Sequence, residues 1–360
     1  MTAPGFLNLH EVETLAREAL PPATWDYFAG GAGDEVTLRE NRHALDALAI
    51  RYRVLVDVSR RDTSADLLGR RIPAPIVVAP MAFQRLAHAD GECGMARAAA
   101  AVGLPMTVST FSTTPLEEVC AAAEGPHWFQ LYVHRDRGLT AELVRRAHAA
   151  GYGALVLTVD VPEIGQRERD IRNRFRLAGE LRAANFAPGE SARLLEDDGS
   201  ALAAFIGGVR EPSLTWKDLE WLRGIAPLPL LVKGVVRTDD ARNAVASGAE
   251  GVVVSNHGGR QLDGAIASIR ALPAIAEAVG DDALVMVDGG IRRGIDVVRA
   301  LALGARAVMV GRPVLWGLAV AGEEGARRVL EILLAELDLA MALTGAPALS
   351  AITRDLISPP

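Results

Sequence analysis

Cysteine is nearly absent: Cys93 and Cys120 are the two thiols of the 360-residue chain, and they form neither a C-x-x-C pair nor a metal-ligand spacing. A disulfide framework and structural zinc are not expected, no metal site is assigned, and a reducing, cytoplasmic setting fits. A basic tract is also missing. The formal net charge is -7, which argues against the cationic face that nucleic-acid phosphates require. Nowhere do eighteen apolar residues run without interruption, and Met1-Thr2-Ala3-Pro4-Gly5 offers neither a basic nor an apolar leader segment. A soluble protein without a membrane segment is therefore expected. No G-x-G-x-x-G follows an early strand, so a dinucleotide on a Rossmann unit is not indicated.

Half of the residues are apolar, ample for a large core, and their spacing is organised. Residues 6 to about 48 read as helices. Asn8 is a candidate N-cap with Glu11 three positions on, and Val12, Leu15, Ala16, Ala19 and Leu20 form an apolar stripe before Pro21-Pro22 stops the helix. From Pro75 onward, strand-like runs appear at PIVVAP (75–80), MTVST (106–110), HWFQLYV (127–133) and ALVLTVD (154–160). They resume at PLLVKG (229–234), GVVVSN (251–256), ALVMVDG (283–289) and AVMVG (307–311). Helical segments lie between them, several closed by Gly103, Gly151, Gly248 or Gly304. Eight alternating units predict an α/β fold, a (β/α)8 TIM barrel, with a doubly wound open sheet as the alternative. The expected organisation is a single domain over 1–360. Residues 1–74 form an N-terminal helical extension, 75–320 the barrel core, and 321–360 a C-terminal amphipathic helix (Glu323 to Leu343) and tail. Within the core, 161–228 after strand 4 is far longer than the other connections. It carries Arg167, Arg169, Arg172 and Arg174, then a weakly periodic tract from Ala178 to Gly208 that reads as a lid.

Barrel enzymes build their sites at the C-terminal strand ends, and those ends are where this sequence turns polar. In order they offer Pro80-Met81-Ala82, Ser109, Gln130 with Tyr132, Thr158 with Asp160, Lys233, Ser255 with His257, Asp288, and Gly311-Arg312. The richest is Ser255-Asn256-His257-Gly258-Gly259-Arg260-Gln261-Leu262-Asp263. Its glycines allow close approach of backbone to a ligand, with a base that titrates near neutrality three residues from a permanent cation. That pairing suits a proton acceptor beside a carboxylate anchor. Asp288-Gly289-Gly290-Ile291-Arg292 and Gly311-Arg312-Pro313 form a candidate anion nest after the last two strands, where barrels commonly bind phosphate. Lys233 admits two readings, a Schiff-base amine or a cation that stabilises negative charge on a flavin ring.

At these residues the sequence resembles the FMN-dependent α-hydroxy acid oxidase and dehydrogenase family, which includes glycolate oxidase, lactate oxidase and mandelate dehydrogenase. SNHGGRQLD (255–263), TVDVP (158–162), LVKG (231–234), VDGGIR (287–292) and Tyr132 carry the resemblance, which extends from Tyr27 to Arg312. It implies FMN as cofactor, a small 2-hydroxy acid and O2 as partners, and a homo-oligomer, a tetramer in many relatives. It also implies roles by position: His257 the base, Asp160 its orienting partner, and Arg260, Arg167 and Tyr27 the substrate-carboxylate binders. Tyr132 matches the group that hydrogen-bonds the reacting oxygen, and Lys233 the cation beside the flavin. Pro80, Met81, Ala82, Ser109, Gln130, Thr158, Ser255, Asp288, Gly289, Gly290, Arg292, Gly311 and Arg312 match FMN-contact positions.

The chemistry agrees with the resemblance. A 2-hydroxy acid loses two electrons and two protons, its carboxylate can be held by two arginines, and Asp160 would stabilise the imidazolium of His257, raising that histidine's pKa. Phe111 stands where short-chain oxidases tend to carry Trp, and Gln166 where an Arg pair is common. With AANF (183–186) and MAFQRLAH (81–88), the pattern looks closest to the 4-hydroxymandelate oxidase branch, although Tyr27 stands where that branch tends to carry Phe. Ala82 occupies a position at which oxidases of the family often have Ala and dehydrogenases Gly, which implies reoxidation by O2 to give H2O2. The resulting expectation is oxidation of (S)-mandelate or 4-hydroxymandelate. The alternatives are lactate or glycolate oxidation, an FMN barrel isomerase, and a flavin-binding barrel without catalysis.

Overall fold

The computed structural model describes residues 5–177, 181–187 and 211–358. Three helices come first: α1 (Leu9–Ala19), α2 (Pro22–Ala29) and α3 (Val36–Asp46). Asn8 caps α1, its side-chain oxygen accepting from the amides of His10 and Glu11, while the Glu11 carboxylate accepts from Leu7 N. The buried stripe of α1 is Leu9, Val12 and Ala16, followed by Leu20; Leu15 and Ala19 face outward, because the helix packs on one narrow side against the long C-terminal helix. A hairpin follows, β1 (Ala65–Leu67) paired antiparallel with β2 (Arg70–Ile72).

The eight runs form one closed, all-parallel barrel. They are β3 (Ile76–Val78), β4 (Met106–Val108), β5 (His127–Leu131), β6 (Leu155–Thr158), β7 (Leu230–Val235), β8 (Gly251–Val254), β9 (Leu284–Val287) and β10 (Ala307–Val310), with β10 pairing back to β3. Both strand faces are buried, which is why the runs are continuous Val, Leu and Met rather than alternating. The interior is filled by Val77, Trp128, Val156, Leu231, Val253, Met286 and Met309, with Leu67 and Ile72 of the hairpin packed into the same cluster at the amino end. The sheet's outer face packs against the helices in a second, larger core. The final helix, Arg312–Thr344, breaks at Ala321 and Gly322, so its amphipathic part starts where the sequence pattern places it.

The N-terminal extension wraps the carboxyl-end rim. Ala32 N donates to Gly259 O (2.9 Å), Gly33 N to Gln166 O (2.9 Å) and Thr37 N to Asp263 Oδ1 (2.8 Å). Most of the 178–208 tract read as a lid lies outside the described residues. Its described part, 181–187, is docked on the barrel, with Ala184 N bonded to Ser112 O at 2.9 Å.

Candidate active site

After β8 the chain takes three consecutive left-handed residues, His257 (φ 58°), Gly258 (φ 65°) and Gly259 (φ 76°). Glycine is required at 259, since a Cβ there would lie 2.5 Å from Leu38 N of α3. At His257 the same conformation is strained for a side chain and persists because its surroundings fix it. Asn256, next to it, exchanges reciprocal amide hydrogen bonds with Asn41 of α3 (2.9 and 2.8 Å) and accepts from Gly259 N (3.1 Å). The imidazole is thereby turned so that Nδ1 sits 2.9 Å from Asp160 Oδ1. An ionised carboxylate can only accept, so Nδ1 carries the proton and Nε2 keeps its lone pair. Burial lowers the His257 pKa, and Lys233 and Arg167 add to that, together outweighing the opposing pull of Asp160. The expectation of a raised histidine pKa is therefore corrected: Asp160 pushes in that direction, but the desolvated, cationic setting wins. Asp160 itself is held below the usual carboxylate range, since His257 and Lys233 together overcome its burial.

Arg260 and Arg167 lie beside this base. Arg260 donates to Tyr27 O (2.6 Å) and Gly30 O (3.1 Å), and its guanidinium sits 5.2 Å over the Tyr27 ring, which in turn stacks on Phe175 at 4.4 Å. Burial and the neighbouring Arg260 lower the Arg167 pKa to about 10. Two half-buried guanidiniums that line one cleft and repel each other favour an anion between them. The four arginines of the loop therefore divide: Arg167 faces the cavity, Arg169 pairs with Glu35 and Asp26, Arg172 pairs with Glu168 at the surface, and Arg174 is exposed.

Lys233 is buried, with Nζ 2.7 Å from Asp288 Oδ2 and 2.8 Å from Ser255 Oγ. Burial works against its charge, but Asp288 and Asp160 prevail and its pKa is raised. A permanently protonated amine is a poor Schiff-base nucleophile, so of the two readings only the fixed cation fits. Ser255 lies behind it and also accepts from His257 N (3.0 Å).

The opposite end of the cleft is cationic. Arg312 donates to the carbonyls of Phe28 (2.9 Å), Gly258 (3.0 Å) and Gly30 (3.0 Å), and Arg292 has Glu13 at 3.7 Å. Burial lowers the pKa of both; Arg260 and Arg292 add to it at Arg312, and Arg42 adds to it at Arg292. Gly289 and Gly290 turn with positive φ beneath them, and a Cβ on Gly290 would lie 2.3 Å from Asn41 O.

These groups share one cleft of about 1100 Å³ including its open mouth. Tyr27, Pro80, Met81, Ala82, Ser109, Gln130, Tyr132 and Thr158 line it together with Lys233, His257, the glycine turn and the four arginines 167, 260, 292 and 312. Asp160 and Ser255 are outside that lining and touch it through His257 and Lys233. Among the described residues three buried polar atoms here have no hydrogen-bond partner: Gln130 Nε2, Asp288 Oδ1 and Asp160 Oδ2. Buried polar groups are normally satisfied, so the first two, in the lining, suit a polar ligand. Phe28 and Phe175 escape the sequence reading, as does the Asn41–Asn256 pair, whose partners are 215 residues apart.

Known proteins resemble this chain over nearly its whole length. The model of the FMN-dependent dehydrogenase family matches residues 16–359. The chain is 52% identical over 356 residues to L-lactate oxidase of Nostoc sp. (98% of each chain), and 48% identical to glycolate oxidase 1 of Oryza sativa subsp. indica (96% of this chain, 94% of the relative). The crystal structure of a mandelate oxidase with (S)-4-hydroxymandelic acid superposes with a TM-score of 0.94 at 45% identity, covering 98% of both chains. With a family match over nearly its whole length and relatives near half identity, the chain belongs to the FMN-dependent dehydrogenase family and is an FMN-dependent oxidoreductase.

Proposed function

We propose that this protein oxidises an aryl (S)-2-hydroxy acid, mandelate or 4-hydroxymandelate, to the 2-oxo acid, with O2 as final acceptor and H2O2 as product. The observation that carries the reading is the join of two walls. The base and the paired guanidiniums stand beside an aromatic surface in which Phe111 lies 5.5 Å from Tyr132 and 6.1 Å from Phe83, centre to centre. An aryl group has faces to pack on there. The likeness to a mandelate oxidase supports the same substrate class. The L-lactate oxidase match supports a second reading, a short-chain substrate in the same site.

FMN fits the residues present. Arg292, Arg312, Gly289-Gly290 and Gly311 would hold its phosphate; Asp288 would hold the polar chain; Pro80, Met81, Ala82, Ser109, Gln130, Thr158 and Lys233 would hold the ring. The unpaired Gln130 Nε2 and Asp288 Oδ1 give it donor and acceptor partners. When bound, FMN supplies the two-electron acceptor. The chain's residues do the rest. Arg260 and Arg167, with Tyr27, bind the carboxylate; His257 Nε2 removes a proton as Cα is oxidised; Asp160 stabilises the imidazolium; Tyr132 hydrogen-bonds the reacting oxygen. Lys233 holds a fixed positive charge where negative charge develops. Ala82 in the lining supports O2 as acceptor, and no helix among the described residues is long and apolar enough to cross a membrane. A cytoplasmic homotetramer is part of the same proposal; light scattering checks the tetramer and fractionation of cells checks the location.

The test is anaerobic mixing of the yellow protein with (S)-mandelate, 4-hydroxymandelate and L-lactate, followed by air. Fast bleaching by the mandelates with colour restored by O2 supports the proposal. Bleaching by lactate alone moves the substrate to the second reading, and no bleaching removes the hydroxy acid oxidase.

A further inference from the structure

The turn after β4, Ser109 to Thr114, carries Phe111 into the substrate wall, and it is held from two sides. From below, the buried Glu92 carboxylate accepts from Gln84 N (3.0 Å), Thr113 N (2.7 Å) and the hydroxyls of Thr113 and Thr114 (2.7 and 3.1 Å). From above comes Asn185, in the described part of the long loop. Asn185 is buried, with 3% of the residue accessible. Nδ2 donates to Thr110 O (2.9 Å) and Ser112 Oγ (3.1 Å), with a longer contact to Ser109 O (3.4 Å), while Oδ1 accepts from Leu116 N (2.9 Å). The Asn185 carbonyl accepts from Arg146 (2.9 Å), itself fixed by Glu117. Only a carboxamide can donate to those oxygens and accept from that amide at once. The next residue, Phe186, stacks its ring on Phe111 with centroids 5.7 Å apart; Phe111 lines the cleft and Phe186 does not.

We infer that Asn185 and Phe186 are specificity-determining positioning residues: Asn185 pegs the long loop into the turn after β4, and Phe186 backs Phe111, so that the pocket keeps a firm wall for an aryl side chain. The inference rests on the hydroxy acid reading of the site. A methyl side chain offers that wall far less surface than a ring does, so it depends less on how firmly Phe111 is held. Displacements well under the size of a ring are enough to change a well-fitted substrate's rate by an order of magnitude or more.

The experiment compares kcat/KM for (S)-mandelate and L-lactate in the holoenzyme and in Asn185→Asp and Phe186→Leu, with bound FMN measured in each. Titration of the flavin spectrum with benzoylformate and pyruvate gives binding without turnover. Asn185→Asp keeps the size but sets an oxygen against the oxygens of Thr110 and Ser112. The expected result is a fall of about tenfold or more in the mandelate-to-lactate ratio and a matching loss of benzoylformate affinity, with FMN content and lactate kcat/KM within about threefold of the parent. An unchanged ratio, or equal losses for both substrates, overturns the inference. If Asn185→Asp does not fold, Phe186→Leu decides by the same ratio. A parent enzyme that oxidises neither acid refutes the functional reading instead, and the keto-acid titrations then still judge the wall: benzoylformate and pyruvate weakened alike, or neither weakened, in the variants would refute it.

Discussion

The inward-facing residues of the barrel form two layers, two residues apart on the same strands, and the layers differ in kind. Trp128, Val156, Leu231, Val253, Met286 and Met309 make the lower one; Gln130, Thr158, Lys233, Ser255, Asp288 and Gly311 make the upper. One pleat repeat, about 6.6 Å, separates a dry plug from a site. The lower layer is closed by the β1–β2 hairpin and needs nothing from outside. Above it, polar groups are tolerated in two ways. Around the base they are paired within the chain, His257 with Asp160 and Lys233 with Asp288. At the cationic end of the cleft, Arg292 and Arg312 have their charge opposed by burial and by other cations, which suits an anionic ligand. The difference teaches that stability and chemistry are separable along each strand.

Substitutions can break that separation. The largest effect is expected for His257→Gln, which keeps a polar side chain but removes the base. Anaerobic flavin reduction by (S)-mandelate should slow by roughly 10²- to 10⁴-fold with FMN content unchanged. Met286→Ala, in the lower layer, should do the converse: denaturant unfolding should register a loss of about 2–5 kcal/mol, with the reduction rate within about threefold of the parent. Arg312→Leu sharpens the contrast within the upper layer. Removing one buried charged donor should weaken FMN binding by about 1.5–3 kcal/mol, roughly ten- to a hundredfold in Kd by fluorescence titration, while the FMN-saturated variant still reduces.

Much of this was legible in the chain because the decisive residues fall at strand ends. Once eight apolar runs are counted, the pleat assigns Gln130, Thr158, Lys233, Ser255 and Asp288 to one mouth, and His257 to Arg260 form one contiguous block. Contacts between distant segments were not legible. No local pattern pairs Asn41 with Asn256 or drives Asn185 into the turn at Thr110. Nor could spacing tell that Leu15 faces solvent, since which side of α1 is covered depends on the C-terminal helix. The direction of the His257 pKa was misread for a related reason. The sequence displays its partner Asp160, but burial and the converging cations Lys233 and Arg167 are properties of the assembled cleft.

That pKa offers the most direct test. Only the neutral imidazole can accept a proton, so the rate must fall with falling pH as His257 is protonated. Because its pKa lies below the ordinary imidazole value, the loss should begin late. The second-order rate constant for anaerobic flavin reduction by (S)-mandelate reports the free enzyme and should be measured across the neutral and mildly acidic range. The rate should reach half of its high-pH value only below about pH 6.5, the unperturbed histidine value, because burial and the neighbouring cations lower the His257 pKa. A rate already halved above that pH would contradict the account, because it would mean that Asp160, rather than burial and the neighbouring cations, governs the base.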